Sequence, residues 1–143
     1  MIVKMKRVSV CASEEVEMIK ITEDVKKCVV ETGVQNGVVF VITAHTTTGI
    51  TVNESLPCVE EDIKENLERL IPTVRPYNHA HFLPSYGATG GNSPGHLKSL
   101  LTGNHCVYPV IDGKIIIGSA ADIYFVEYDG IKKREYFVHV MGE

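Results

Sequence analysis

The 143 residues carry 14 Lys+Arg against 18 Asp+Glu, a formal net charge of -4, which argues against a nucleic-acid groove as the main purpose. Apolar content of 44% suits a single domain over residues 1–143 with a real core. No apolar run approaches the ~18 residues of a membrane span, and the start, Met1-Ile-Val-Lys-Met-Lys-Arg7, has no apolar leader segment. A cytoplasmic protein without membrane or nucleic-acid partners is expected. Cys11, Cys28, Cys58 and Cys106 form no Cys-x-x-Cys pair, so buried reduced thiols are the default, with Cys58 set apart by its position.

Lys6 to Cys11 alternates like a strand, and Val16 to Ile21 answers it after a polar turn. Thr22 is the expected N-cap of a helix carrying Val25, Cys28, Val29 and Thr32 on one face, with Gly33 as terminator. Val38–Thr43 and Ile50–Asn53 read as strands. A second helix starts near Pro57 and stops before Pro72, with Val59, Ile63, Leu67 and Leu70 as its apolar stripe. Residues 72–93 lose all hydrophobic period, which in a compact domain points to a functional or a disordered loop. Ser93 and Pro94 then suit the N-cap and first position of a third helix burying Leu97, Leu100 and Leu101 before Gly103.

The remainder reads as a meander. Asp112-Gly113 should join 106–111 to 114–117, and Asp129-Gly130 should join 123–128 to 134–141 as hairpins. Pro109 belongs at an edge or bulge. Together these elements predict an α+β domain of antiparallel, sandwich-like sheets with about three helices.

Chemistry concentrates first in His45-Thr-Thr-Thr-Gly-Ile-Thr-Val-Asn-Glu54, where a histidine, hydroxyls, an amide and a carboxylate gather at a strand end. Buried polar groups of this kind need partners or a ligand. His79 and His96 flank the long loop. Imidazole ligates divalent metals and exchanges protons near neutral pH, so His45, His79 and His96 are the candidate ligands of a catalytic zinc, which takes three protein ligands plus water. His81, His105 and His139 read as ordinary hydrogen-bonded histidines.

Gly87-Ala-Thr-Gly-Gly-Asn-Ser-Pro-Gly-His-Leu-Lys98 runs into a helix N-terminus, where free N–H groups favour an anion, with Lys98 adding charge from a solvated helix surface. The dipole there favours neutral His96. Glu60, Glu61 and Glu65 read as a solvated face, whereas Asp62, near the apolar stripe, can point inward. Glu127 sits in an apolar run, where alternation leaves paired, functional and outward placements open. Lys132-Lys-Arg134 reads as a turn surface.

These motifs resemble the YjbQ-like, secondary thiamine-phosphate synthase family. The resemblance rests on His45-Thr-Thr-x-x-Ile-Thr-Val-Asn53-Glu54, the acidic helix with Asp62, Tyr77-x-His79, Ser93-Pro-x-His96-x-Lys98-Ser, Pro109-x-x-x-Gly113-Lys-x-x-x-Gly118, Ile123-Tyr124 and Glu127. It departs from the family at Ser119-Ala120-Ala121-Asp122 and at Ala80, which is followed by a His81-Phe-Leu-Pro-Ser-Tyr86 insertion.

The resemblance implies a homotrimer whose histidines and acids cluster near a subunit boundary. It also implies condensation of hydroxymethylpyrimidine diphosphate with thiazole phosphate, releasing pyrophosphate. On that reading His45, Glu54, Asp62 and His96 are candidate catalytic residues. Thr46, Thr47, Asn53, Gly91, Asn92, Lys98 and Glu127 are candidate substrate contacts, and a divalent metal, zinc or magnesium, could neutralise the leaving group. The alternatives are a metal-dependent phosphoester hydrolase and a non-catalytic metal-binding protein.

Overall fold

A computed structural model describes residues 1–80 and 91–143. The elements run β1 (Ile2–Cys11), β2 (Glu17–Lys20), α1 (Thr22–Thr32), β3 (Asn36–Thr43), β4 (Thr48–Glu54), α2 (Pro57–Leu70), a single 3-10 turn (Asn78–Ala80), α3 (Ser93–Thr102), β5 (His105–Ile111), β6 (Lys114–Ile115), β7 (Ala121–Glu127) and β8 (Lys133–Gly142). They form two antiparallel sheets, ordered β1-β8-β3-β5-β6 and β2-β7-β4. The fold is α+β, as the pattern predicts.

Most consecutive strands do not pair with each other. β1 and β2, β3 and β4, and β7 and β8 each lie in different sheets. The Asp129-Gly130 hairpin and the pairing of the first two strands are therefore corrected: these turns carry the chain from one layer to the other. Turn chemistry marks where a chain reverses, not which sheet receives it. Only β5 and β6 form the predicted hairpin, across Asp112 (φ 50) and Gly113 (φ 74), the positive pair of a type I′ turn. Pro109 pairs with Val38 in β5, and its carbonyl accepts from Ile116 N–H on the far side from β3. A strand residue's N–H and C=O point the same way, so the missing proline donor costs no bond to β3.

Period-2 alternation puts Val39, Val41, Tyr136, Val138 and Val140 on the inner face of the larger sheet, all fully buried. They face Ile50, Ile123 and Phe125 of the smaller sheet. Behind it, Tyr124, Val126 and Tyr128 make a second layer with Met18 and Leu67, so β7 is buried on both faces. The three crossovers gather at one end of the sandwich, where Tyr128 N–H donates to Thr47 O and Gly130 N–H to Glu15 O.

Thr22 begins α1 from inside the helix, while Ile21 takes the N-cap place. The Thr22 hydroxyl donates to Asp122 Oδ1 at 2.5 Å and accepts from Ile123 N–H at 2.9 Å, which ties the helix to β7. In α3, Asn92 is the N-cap, with Ser93 and Pro94 the first two helical positions, one residue earlier than predicted. The expected burial of Leu97, Leu100 and Leu101 is overturned: Leu100 is 77% and Leu101 58% exposed. The helix instead seats Pro94, Gly95 and Lys98 against the body. All four cysteines are free, with Cys28 buried, Cys106 partly buried and Cys58 exposed, while Cys11 is exposed, contrary to the burial expected of it.

Candidate functional site

At the crossover end, the 44–47 turn is pinned from several sides. Thr48 Oγ1 bonds with Thr43 Oγ1 at 2.7 Å and donates to His45 O. Thr47 O accepts from Tyr128 N–H, and Ser99 Oγ of α3 donates to Thr48 O at 2.5 Å. Thr47 is buried, while Thr46 stays exposed.

Inside the sandwich, Glu127 is completely buried. Register places it with Ile123 and Phe125, on the face towards the other sheet. Arg134 shares a face with Tyr136 and Val138, and so comes from the opposite layer. Its Nε donates to Glu127 Oε1 at 2.8 Å and its Nη2 to Oε2 at 2.9 Å. Asp129 N–H adds a third donor to Glu127, at 3.1 Å. Arg134 Nη2 also donates to Thr47 Oγ1 at 2.9 Å. The Glu127 carboxylate beside it, before any burial effect, holds the guanidinium ionised above its usual range.

His96, in the first turn of α3, has Nδ1 3.1 Å from Thr46 O. A carbonyl only accepts, so Nδ1 carries a proton and the lone pair of neutral His96 sits on Nε2. The His79 ring lies edge-on to His96, centroids 5.2 Å apart. A cleft of about 420 Å³ is lined by Thr73, Arg75, Pro76, Tyr77, Gly91 and Ser93, from the segments that lead into His79 and His96. Arg75 stacks over the Tyr77 ring, 4.9 Å from its centre. Asn92 Nδ2 donates to Asp129 Oδ2 at 2.9 Å. Burial works against ionisation of Asp129, but hydrogen bonds from Lys132 and Asn92 outweigh it and hold that carboxyl below its usual range.

The YjbQ-like UPF0047 family model matches residues 6–143. The chain belongs to the YjbQ-like UPF0047 family. A UPF0047 protein of Archaeoglobus fulgidus is 36% identical over 129 residues, 90% of this chain and 94% of the relative. The Bacillus subtilis protein YugU is 33% identical over 138 residues, 96% and 99% of the two chains. Among solved structures, a YbjQ-like protein of Sulfolobus solfataricus superposes with a TM-score of 0.91 at 28% identity, covering 99% of this chain and 98% of that one. A Clostridium acetobutylicum member of the YjbQ/UPF0047 family gives 0.85 at 37% identity, with 95% and 99% covered.

Within this YjbQ-like chain, His79, His96, Thr46, Thr47, Gly91, Asn92 and Glu127 gather at the crossover end, with Glu127 buried behind the turn, whereas Asn53, Glu54 and Asp62 do not join them. Asn53 and Glu54 pair with Asp122 and Ala121 at the opposite end of β4, about 20 Å away at 3.3 Å per residue. Asp62 is exposed on α2, not turned inward. That helix buries no residue fully, so a place near its apolar stripe brings no enclosure.

Lys98 is 5% exposed and pairs with Glu68 Oε2 at 2.8 Å, which corrects its placement on a solvated surface. The expected cradle of free N–H groups also shrinks. Gly95 and His96 N–H both point to Asn92 O, Pro94 has none, and Gly90 lies outside the described residues, as do His81 and the rest of 81–90.

His45 is engaged by β8 instead of joining the His79–His96 pair. Its Nε2 accepts from Glu135 N–H at 3.3 Å, so the neutral ring is protonated on Nδ1 and offers no free lone pair. Among the described residues no three His, Cys, Asp or Glu side chains converge for a metal ion. The His79–His96 pair alone falls short of the three-ligand set.

Arg134 and Arg75 are the residues the sequence reading missed. Arg134 is in period with Tyr136, Val138 and Val140, and that alternation marked it as inward facing. Arg75 carries no local signal, because only the meeting of two segments brings it near α3.

Proposed function

We propose that this chain is an enzyme acting on a phosphorylated small molecule, bound in the cleft between Arg75 and the start of α3. The observation that carries this reading is the Thr46 carbonyl on His96 Nδ1. Because that bond forms in both the neutral and the charged ring, every proton His96 exchanges passes through Nε2. His79 at 5.2 Å gives a second imidazole next to His96. Arg75 supplies the guanidinium that Lys98, committed to Glu68, does not.

The finer reading, from the family resemblance, is thiamine-phosphate synthesis. The thiazole nitrogen attacks the pyrimidine methylene carbon as its C–O bond breaks, and diphosphate leaves with the electron pair. An imidazolium Nε2–H at His96 protonates the departing oxygen, and Arg75 binds its charge. The assembly is proposed to be a homotrimer. A closed ring of heterologous contacts needs two different patches, and two exposed apolar surfaces are present. One is Leu97, Leu100 and Leu101 on α3. The other is the outer face of the larger sheet, with rows Val3–Met141–Val38–Pro109 and Met5–His139–Phe40–Val107.

The test incubates the purified chain with hydroxymethylpyrimidine diphosphate and thiazole phosphate, then follows thiamine phosphate by mass spectrometry. Condensation that falls at least tenfold in His96→Asn and in Arg75→Met supports the reading. Phosphate release without condensation transfers the site to hydrolysis, and no turnover of any phosphorylated compound in a panel overturns it.

A further inference from the structure

Two charged groups outside the proposed chemistry act together on the turn that orients His96. Glu127 is fully buried and Arg134 lies opposite it from the other sheet, yet neither faces the cleft. A buried carboxylate and guanidinium of this kind are costly to desolvate and often replaceable by apolar side chains without loss of stability. Stability alone is thus a weak reason for their presence. What the pair does hold is the Thr47 hydroxyl, through Arg134 Nη2. Thr47 is bonded through the chain to Thr46, whose carbonyl receives the His96 Nδ1 proton.

We infer that Arg134 and Glu127 are positioning residues that, through Thr47, aim the Thr46 carbonyl at His96 and so set its tautomer. This rests on the reading of His96 as the proton-exchanging group. The next residue on β8 reinforces the hold, since Glu135 N–H donates to His45 Nε2. The turn is thereby fixed on both sides of Thr46. Without that hold the Thr46–Thr47 peptide keeps only the turn's other bonds, and the Thr46 carbonyl is held less closely on His96 Nδ1. The lone pair then divides between the two ring nitrogens, and fewer molecules present Nε2 to the cleft.

The test is nitrogen-15 NMR of the histidine rings in the full chain, read above the imidazole titration. In the wild type, His96 should report a protonated Nδ1 and an unprotonated Nε2. Thr47→Val exchanges the hydroxyl for a methyl group and should move the tautomer ratio about fivefold towards Nε2–H, the worth of one ordinary hydrogen bond. Thr47→Ser, which keeps the hydroxyl, should restore it. Replacing both charges together, Glu127→Gln with Arg134→Met, leaves no unpaired buried ion and should move the ratio in the same direction as Thr47→Val. If that double variant fails to fold, the two Thr47 variants decide. A wild-type-like tautomer in Thr47→Val overturns the positioning role while leaving the function reading intact. An Nε2–H tautomer in the wild type overturns the reading of His96 itself, before any variant is compared.

Discussion

Lys98 on α3 reaches Glu68 on α2, Nζ to Oε2 at 2.8 Å, with the lysine side chain 7% exposed and the glutamate 49%. The two helices that flank the smaller sheet are joined by a pair buried at one end and wet at the other. Glu68 also accepts from Thr73 N–H and its hydroxyl. The side-chain hydrogen bond from Lys98 and these further donors bring its carboxyl down to about 2 from 4.5.

A carboxylate whose folded pKa lies below its unfolded one stabilises the fold above the unfolded value, and that contribution is lost as pH falls. The window is therefore from about 4.5 down to about 2. Because Glu68 is half exposed, solvent screening limits the effect to roughly 1 kcal/mol. Lys98→Met should flatten the fall in thermal midpoint across that window. A parallel acid profile in both proteins would show that the pair carries no pH-dependent stability.

Glu68→Ala leaves the Lys98 ammonium enclosed without its carboxylate. The expected loss is about 1–3 kcal/mol in urea unfolding. Lys98→Met should cost less, because the wet end of Glu68 can rehydrate. The reverse order would mean that the lysine contributes packing more than charge.

Arg134→Met leaves Glu127 charged and fully buried among Ile123, Phe125 and the opposing sheet. Such a change costs about 3–5 kcal/mol, and urea unfolding should show it as a large fall in midpoint. Adding Glu127→Gln to the same chain should recover much of the loss. A double variant no better than the single one would place the cost in lost packing, not in the stranded charge.

Gly49 lies where β4 meets α3. A Cβ built there falls 2.5 Å from Thr102 Cγ2 and 2.8 Å from its Cβ. Gly49→Ala should destabilise by about 1–3 kcal/mol, the usual cost of overpacking. It should also perturb His96, because the shifted helix carries that ring. Calorimetry reads the first effect and the histidine NMR spectrum the second.

The assembly proposal predicts a polar substitution effect on an exposed residue. Val107 is 47% exposed in the single chain and faces outward beside Phe40 and His139. Val107→Asp should leave the monomer fold intact while lowering the sedimenting mass at micromolar concentration. An unchanged mass would remove the outer sheet face from the interface.

Local sequence determined the elements themselves. The apolar run from Val38 to Ile42 and the Asp112-Gly113 turn act through neighbouring residues and appear where the pattern predicts, and the Pro94 helix start falls within one residue of its expected place. Alternation left the placement of Glu127 open, because β7 is buried on both faces, and Arg134 read as a turn surface although it is in period with Tyr136. What only the tertiary structure decided was which strands share a sheet, since a turn of a few residues can return to its own layer or cross to the other. That choice brought three crossovers to one end and put Arg134 opposite Glu127. It also set Thr46 against His96, 50 residues apart, and separated Glu54 from the histidines despite their shared motif. Lys98 shows the same limit: its spacing on α3 was legible, but its burial depended on where α2 came to lie.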